Sequence, residues 1–310
     1  MSASETIARD HEWHEYYERF HYVWPEAVRD ACHPRIMEHD APVEQAIVLV
    51  HGLTDSPYFL TAIGEFFFNT LGYNVYLPLP HCHGLKQPEG MECVNLGEWK
   101  KNVDFAVDVA ASKAKQVSIG GLSTGGTLSF YMAVHDPKVT GALYLFSAAL
   151  DLAGGIGGLI GELKERLLRT FLADLLDNDK PLIGPNPYRY TRMDLDGAQE
   201  LAYLIKETDR LLNRYNRKNL FPKRVFAAHS EHDTTANITG IEALQKVSHP
   251  ARFVFFRIPD EAEVKHASVV LKDPIYATDA ADGDVPLEKA NPMFDDMLKK
   301  IAATHSLHAA

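Results

Sequence analysis

The sequence predicts an α/β protein: a mostly parallel central sheet flanked by helices, with a helical cap inserted late in the chain. Two patterns predict it. Six short apolar runs recur along the 310 residues, at 46–50, 74–79, 116–120, 142–147, 224–230 and 252–258, each bounded by turn residues. They are continuously apolar rather than alternating. That marks strands covered on both faces, as in a parallel sheet between two helix layers. The second pattern is a break in the rhythm. Between Asp151 and about Phe221 no strand pattern occurs, while "ELKERLLRTFLADLL" and "DGAQELAYLIKETDRLLNRYN" read as helices. An all-helical insertion between two strands is expected to cap the C-terminal edge of the sheet, where open α/β folds bind ligands.

The elements follow in order. Residues 1–43 read as an N-terminal extension, a polar helix studded with aromatics and then an extended piece. Trp13, Tyr16, Tyr17, Phe20, Tyr22 and Trp24 are expected to anchor it against the domain or a second subunit. His11, His14 and His21 have helix-like separations, so three imidazoles on one face are conceivable, although a solvated or packed face is the plainer reading. Residues 44–150 and 222–310 form the core, and 151–221 the cap. Within the core, "AIVLV" is followed by the helix "FLTAIGEFFFNTLG", and "NVYLPL" by the helix "LGEWKKNVDFAVDVAASKA". The strand "QVSIG" runs almost directly into the helix "TLSFYMAV", and "NPMFDDMLKKIA" closes the chain. In the cap, Leu159, Ile160, Leu163, Leu167, Leu168, Phe171 and Leu172 make a broad apolar face, packed on the sheet edge, lining an acyl pocket, or serving as an interfacial lid that opens on lipid. Tyr188, Arg189 and Tyr190 could touch substrate, but nothing in the sequence gives their direction.

Composition narrows the function. The formal net charge is −11 with no basic stretch, which excludes a nucleic-acid partner and disfavours adsorption to an anionic membrane. No run is long enough to span a bilayer, and the N-terminal segment does not read as a secretory signal. Cys32, Cys82 and Cys93 are an odd number without ligand-like spacing, so no disulfide framework is expected. A reducing, cytoplasmic location is expected with it. Oligomeric state is not legible.

The chemistry is carried by "IGGLSTGG", residues 119–126, where Gly121-x-Ser123-x-Gly125 sits between a strand and a helix. In that setting the serine occupies a strained strand-to-helix turn and becomes a candidate nucleophile. The N–H of Thr124, at the helix start, then faces an oxygen on the carbon under attack. The strand at 46–50 ends in "VHGLTDSPY", where Gly52 allows close backbone approach and the Leu53 N–H becomes a second oxyanion donor. A serine hydroxyl needs a base, and the base an orienting acid. Asp233 follows the strand at 224–230, and His266 lies in the loop after the strand at 252–258. Both loops open on the edge that carries Ser123. Glu231 and Asp260 are alternative carboxylates, and His229 and His232 alternative imidazoles. His229 lies within a strand and reads as structural. His81-Cys82-His83 suggests a metal, but adjacent ligands on one turn rarely close a tetrahedral site, so no metal and no cofactor are expected.

Together "LVHGLTDSP", "GLSTGG", "SEHDTTA" and "HASVVL", in that order and spacing, resemble the carboxylesterase and monoacylglycerol-lipase branch of the α/β-hydrolase family. The resemblance runs from about Ala46 to the C-terminal helix, the cap excepted. It implies the α/β-hydrolase fold, Ser123 as nucleophile, Asp233 as orienting acid, His266 as base, and the Leu53 and Thr124 amides as oxyanion hole. It also implies carboxylic esters of short to medium acyl chain as substrates, monoacylglycerols among them. "PLPHCHGL" is similar to the family's Pro-x-x-Gly-His-Gly loop but departs from it at His81-Cys82-His83. Amide or carbon–carbon bond hydrolysis, acyl transfer, and a catalytically silent binding protein are the alternatives on the same scaffold.

Overall fold

The computed structural model of the chain describes residues 11–87, 90–150, 184–192 and 195–306. Its strands are β1 (His11–Glu12), β2 (Arg35–Met37), β3 (Val43–Val50), β4 (Asn74–Leu77), β5 (Ala114–Leu122), β6 (Leu143–Phe146), β7 (Val225–Ser230) and β8 (Phe253–Ile258). They form one sheet in the order β1-β2-β4-β3-β5-β6-β7-β8. From β4 to β8 every pair is parallel, while β1 and β2 add an antiparallel edge. The described helices are α1 (His14–Arg19), α2 (Tyr58–Asn69), α3 (Leu96–Lys113), α4 (Thr124–His135), α5 (Leu195–Leu212), α6 (Thr239–Lys246) and α7 (Phe294–Ser306).

All six apolar runs form strands, and the reason is visible in β3. Its successive residues alternate between two cores: Ala46, Val48 and Val50 face one, Ile47 and Leu49 the other. The first core lies under α1, α3, α4, α5 and α6, the second under α2 and α7. α3 starts where the Asn95 carboxamide accepts the Glu98 N–H at 3.1 Å, an N-cap. The first helical run of the expected cap, with the apolar face at 159–172, lies outside the described residues.

Residues 11–43 differ from the expectation in three ways. They contribute two strands to the sheet, which runs of two and three residues are too short to signal by periodicity. The helix is only six residues long, so His11 lies in β1 and only His14 in α1, and the three imidazoles do not share a helix face. Trp13, Tyr16, Tyr17 and Phe20 are buried as expected, while Tyr22 and Trp24 are exposed, at 37% and 57%. The buried aromatics pack on α3, where the Trp13 and Phe105 rings stack at 5.5 Å, and the Tyr16 hydroxyl donates to the Leu79 carbonyl at 2.7 Å.

The cysteines also correct the sequence reading. Cys82 and Cys93 form a disulfide, their Cα atoms 6.0 Å apart, and only Cys32 is free, buried in the core. An odd count hid a single bridge between two surface loops.

Candidate active site

The register between β3 and β5 pairs Val50 with Gly121, so the turns leaving these two strands emerge side by side. Their approach explains the glycines. A Cβ on Gly125 would lie 2.0 Å from the Val50 carbonyl oxygen and 2.4 Å from that of His51, and one on Gly121 would lie 2.3 Å from the Val50 oxygen. No side chain fits there, so only glycine lets the end of β3 lie against the start of α4.

Ser123 sits at the N-terminus of α4 with φ 53° and ψ −119°, a conformation that costs a non-glycine residue about 1–3 kcal/mol. Its neighbours hold it there. The Ser123 N–H donates to the Phe146 carbonyl at 3.0 Å. Its own carbonyl accepts from the N–H groups of Thr127 at 3.0 Å and Ala149 at 3.3 Å. The expected strained turn is therefore present, with the serine 9% exposed.

Asp233 and His266 meet. The His266 Nδ1 lies 2.7 Å from Asp233 Oδ2, so Nδ1–H donates to the carboxylate and the lone pair is left on Nε2. The other carboxylate oxygen accepts the N–H groups of Thr235 at 2.8 Å and Ala236 at 3.0 Å. Burial by itself raises the Asp233 carboxyl. The His266 charge and hydrogen bond, helped by His229 and the Ala236 amide, outweigh it and hold the group at about 2. His266 Nε2 is buried and makes no hydrogen bond to the described residues, so the Ser123 hydroxyl is not bonded to it in this structure. Such bonds often tighten only when substrate is bound.

The alternatives lie elsewhere. Glu231 pairs with Arg257, and His232 with Asp260 at 2.8 Å, both on the exposed side of the loops. His229 is fully buried, bonded to the Ala236 carbonyl at 3.1 Å and 3.5 Å from Asp233 Oδ2; burial lowers its pKa and keeps it neutral.

The turn carrying Leu53 is more heavily supported than its sequence suggests. His51 is buried with Nδ1 2.9 Å from the Gly52 carbonyl, and its ring lies against that of His83, centroids 5.0 Å apart. Burial drives His51 well below its usual range and His83 down to about 4, so both are neutral at physiological pH. Asp55 is buried, and burial pushes its carboxyl up to about 6 even though Arg189 pulls it down. Tyr188, Arg189 and Tyr190 all engage protein. Tyr188 stacks on Tyr58, Tyr190 donates to the Cys82 carbonyl at 3.0 Å, and Arg189 lies between Asp55 and Glu288. Asp55 and Glu288 were not identified from the sequence, because nothing in a lone buried carboxylate's local pattern names its distant cation. With Cys82 bonded to Cys93, the His81-Cys82-His83 stretch has no thiolate to offer a metal.

No protein-family model matches the chain. Over 190 residues it is 30% identical to a thermostable monoacylglycerol lipase from Bacillus sp. (strain H-257), across 60% of this chain and 70% of that one. Among solved structures it resembles one from the work on LipS and LipT, two metagenome-derived lipolytic enzymes. The TM-score is 0.63 and the identity 17%, over 91% of this chain and 100% of that one. It also resembles a soluble variant of monoglyceride lipase from Saccharomyces cerevisiae. Here the TM-score is 0.54 and the identity 13%, over 90% and 92% of the two chains. The structural likenesses carry the fold, and the Bacillus relative carries the family. The chain is a carboxylic ester hydrolase of the α/β-hydrolase family and belongs to its carboxylesterase and monoacylglycerol-lipase branch.

Proposed function

We propose that Ser123, His266 and Asp233 form a catalytic triad that cleaves carboxylic esters of short to medium acyl chain, monoacylglycerols among them. The observation that carries this reading is the 2.7 Å Asp233–His266 contact, which leaves Nε2 as a base on the sheet edge where the strained Ser123 stands. His266 Nε2 removes the Ser123 proton as Oγ attacks the ester carbonyl. The oxyanion is held by the N–H groups of Leu53 and Thr124, and the alcohol leaves with the proton from His266. Water, activated by the same imidazole, then cleaves the acyl-enzyme. Asp233 stays ionised throughout, orienting the ring and stabilising the imidazolium. No cofactor enters these steps.

The same reading keeps 1–43 as an extension, 44–150 and 222–310 as the core and 151–221 as the cap. It assigns no nucleic-acid partner to a chain of net charge −11. No described helix is long and apolar enough to cross a membrane. A cytoplasmic location would keep the Cys82–Cys93 pair largely reduced, so the bridge favours an oxidising compartment over the location expected from sequence.

The test is a series of p-nitrophenyl esters from acetate to palmitate, run with the protein and with Ser123→Ala. Turnover should peak at the short to medium chains, and Ser123→Ala should lower kcat by at least about 1,000-fold. Equal turnover by the variant, or none by the wild type at any chain length, would remove the reading in favour of the amide, carbon–carbon or silent-binder alternatives.

A further inference from the structure

We propose that Arg189 is a positioning residue: through Asp55 and Thr54 it holds the Leu53 turn in the shape an oxyanion requires. The inference rests on the reading of that turn as an oxyanion hole. Arg189 lies within the cap segment, between its two helical runs, and its guanidinium reaches three acceptors from two other parts of the chain. Nε lies 3.0 Å from Asp55 Oδ1, an ionic contact whose N–H is turned off the line between the atoms. Nη1 donates to Glu288 Oε1 at 2.9 Å, and Nη2 to Thr54 Oγ1 at 3.0 Å. The next residue tightens the grip, since the Tyr190 N–H donates to the Thr54 carbonyl at 2.8 Å.

Three features make this more than packing. Thr54, the residue after Leu53, has φ 69°, and a β-branched residue keeps that conformation only when its surroundings impose it. Asp55 lies over the Gly52 backbone, so closely that a Cβ on Gly52 would be 2.4 Å from Asp55 Oδ2 and 3.3 Å from the Ser123 Cβ. The cluster thus borders the elbow itself. Lastly, the side chains of Arg189, Asp55 and Glu288 are only 14%, 4% and 6% exposed. Burying one cation with two carboxylates is a poor source of stability, and its best-attested use is to fix geometry. A planar fork is the group that can address three acceptors at once, which a lysine cannot reproduce. Both Nη nitrogens donate to protein and Nε lies against the Asp55 carboxylate, so the guanidinium is held by the protein itself.

The test is steady-state kinetics on p-nitrophenyl butyrate with the full chain and its Arg189→Gln, Arg189→Lys, Asp55→Asn and Ser123→Ala variants, with circular dichroism to verify folding. Arg189→Gln should lower kcat about 100-fold, the scale of one misplaced oxyanion donor, with KM within about threefold of wild type. Arg189→Lys should recover part of the loss. A folded Arg189→Gln with wild-type kcat, or a loss confined to KM, overturns the proposal. If Arg189→Gln does not fold, Asp55→Asn, which keeps the side-chain shape, is decisive: wild-type kcat overturns it and a loss in kcat supports it. If neither folds, the cluster is a stability element and the proposal is wrong. Failure of the underlying reading looks different, because there the wild type is inert or Ser123→Ala is as active as wild type, and the positioning role falls with it.

Discussion

Asp233 shows how far a single residue's chemistry is set by its surroundings. Its side chain is fully buried, yet it is held at about 2 against an ordinary 3.8, because an imidazole and backbone amides face it. The unfolded chain titrates near the ordinary value, so the folded state gains stability from this group above about pH 4. That contribution, about 2 kcal/mol at most, is lost as pH falls towards 2. In Asp233→Asn the acid limb of stability, measured by urea unfolding across about pH 5 to 2, should flatten. The same variant should lower kcat by about 1,000- to 10,000-fold, since an amide no longer fixes the His266 tautomer. An unchanged rate would move the acid role away from Asp233. Asp55 carries the opposite sign: burial raises it to about 6, so its contribution to stability falls as pH rises through that value.

At the scale of elements, the loops over the sheet edge are tied rather than free. The Cys82–Cys93 bridge joins the His81–His83 loop to the stretch leading into α3, across 11 residues. The Leu96 N–H at the head of α3 donates to Glu200 on α5 at 2.7 Å, and the Trp99 indole donates to the His81 carbonyl at 3.1 Å. One end of this chain of contacts is His83, against His51 beside the Leu53 turn. Replacing both cysteines with serine should cost about 2–3 kcal/mol by denaturant unfolding, the loop-closure scale for a ring of this size. Wild-type stability in the double variant would mean that the other contacts suffice.

At the scale of the molecule, the N-terminal extension completes the fold. It pairs β2 with β4, which would otherwise be the sheet edge, and covers α3 with Trp13, Tyr16 and Phe20, each at most 6% exposed. Burying three such side chains is worth roughly 5–9 kcal/mol, comparable with the whole stability of a domain. A chain lacking residues 1–42 should therefore aggregate or lose its near-ultraviolet dichroism, with an exposed edge open to pairing. A monomeric, active truncation on size-exclusion chromatography would show that the extension is dispensable.

The elements and the order of the candidate residues were legible in the sequence because their causes are local. A buried strand must be apolar on both faces, a helix must show its period, and a crowded elbow must carry glycine at positions such as Gly121 and Gly125. Ser123, Asp233 and His266 could be proposed because each follows a recognisable strand. Only the tertiary structure set Asp233 against His266, closed the Cys82–Cys93 bridge, turned Arg189 inward onto Asp55 and Glu288, and gave residues 11–12 and 35–37 a place in the sheet. These are contacts between groups far apart in the chain. Their energy depends on distance and burial, which local residue patterns do not encode.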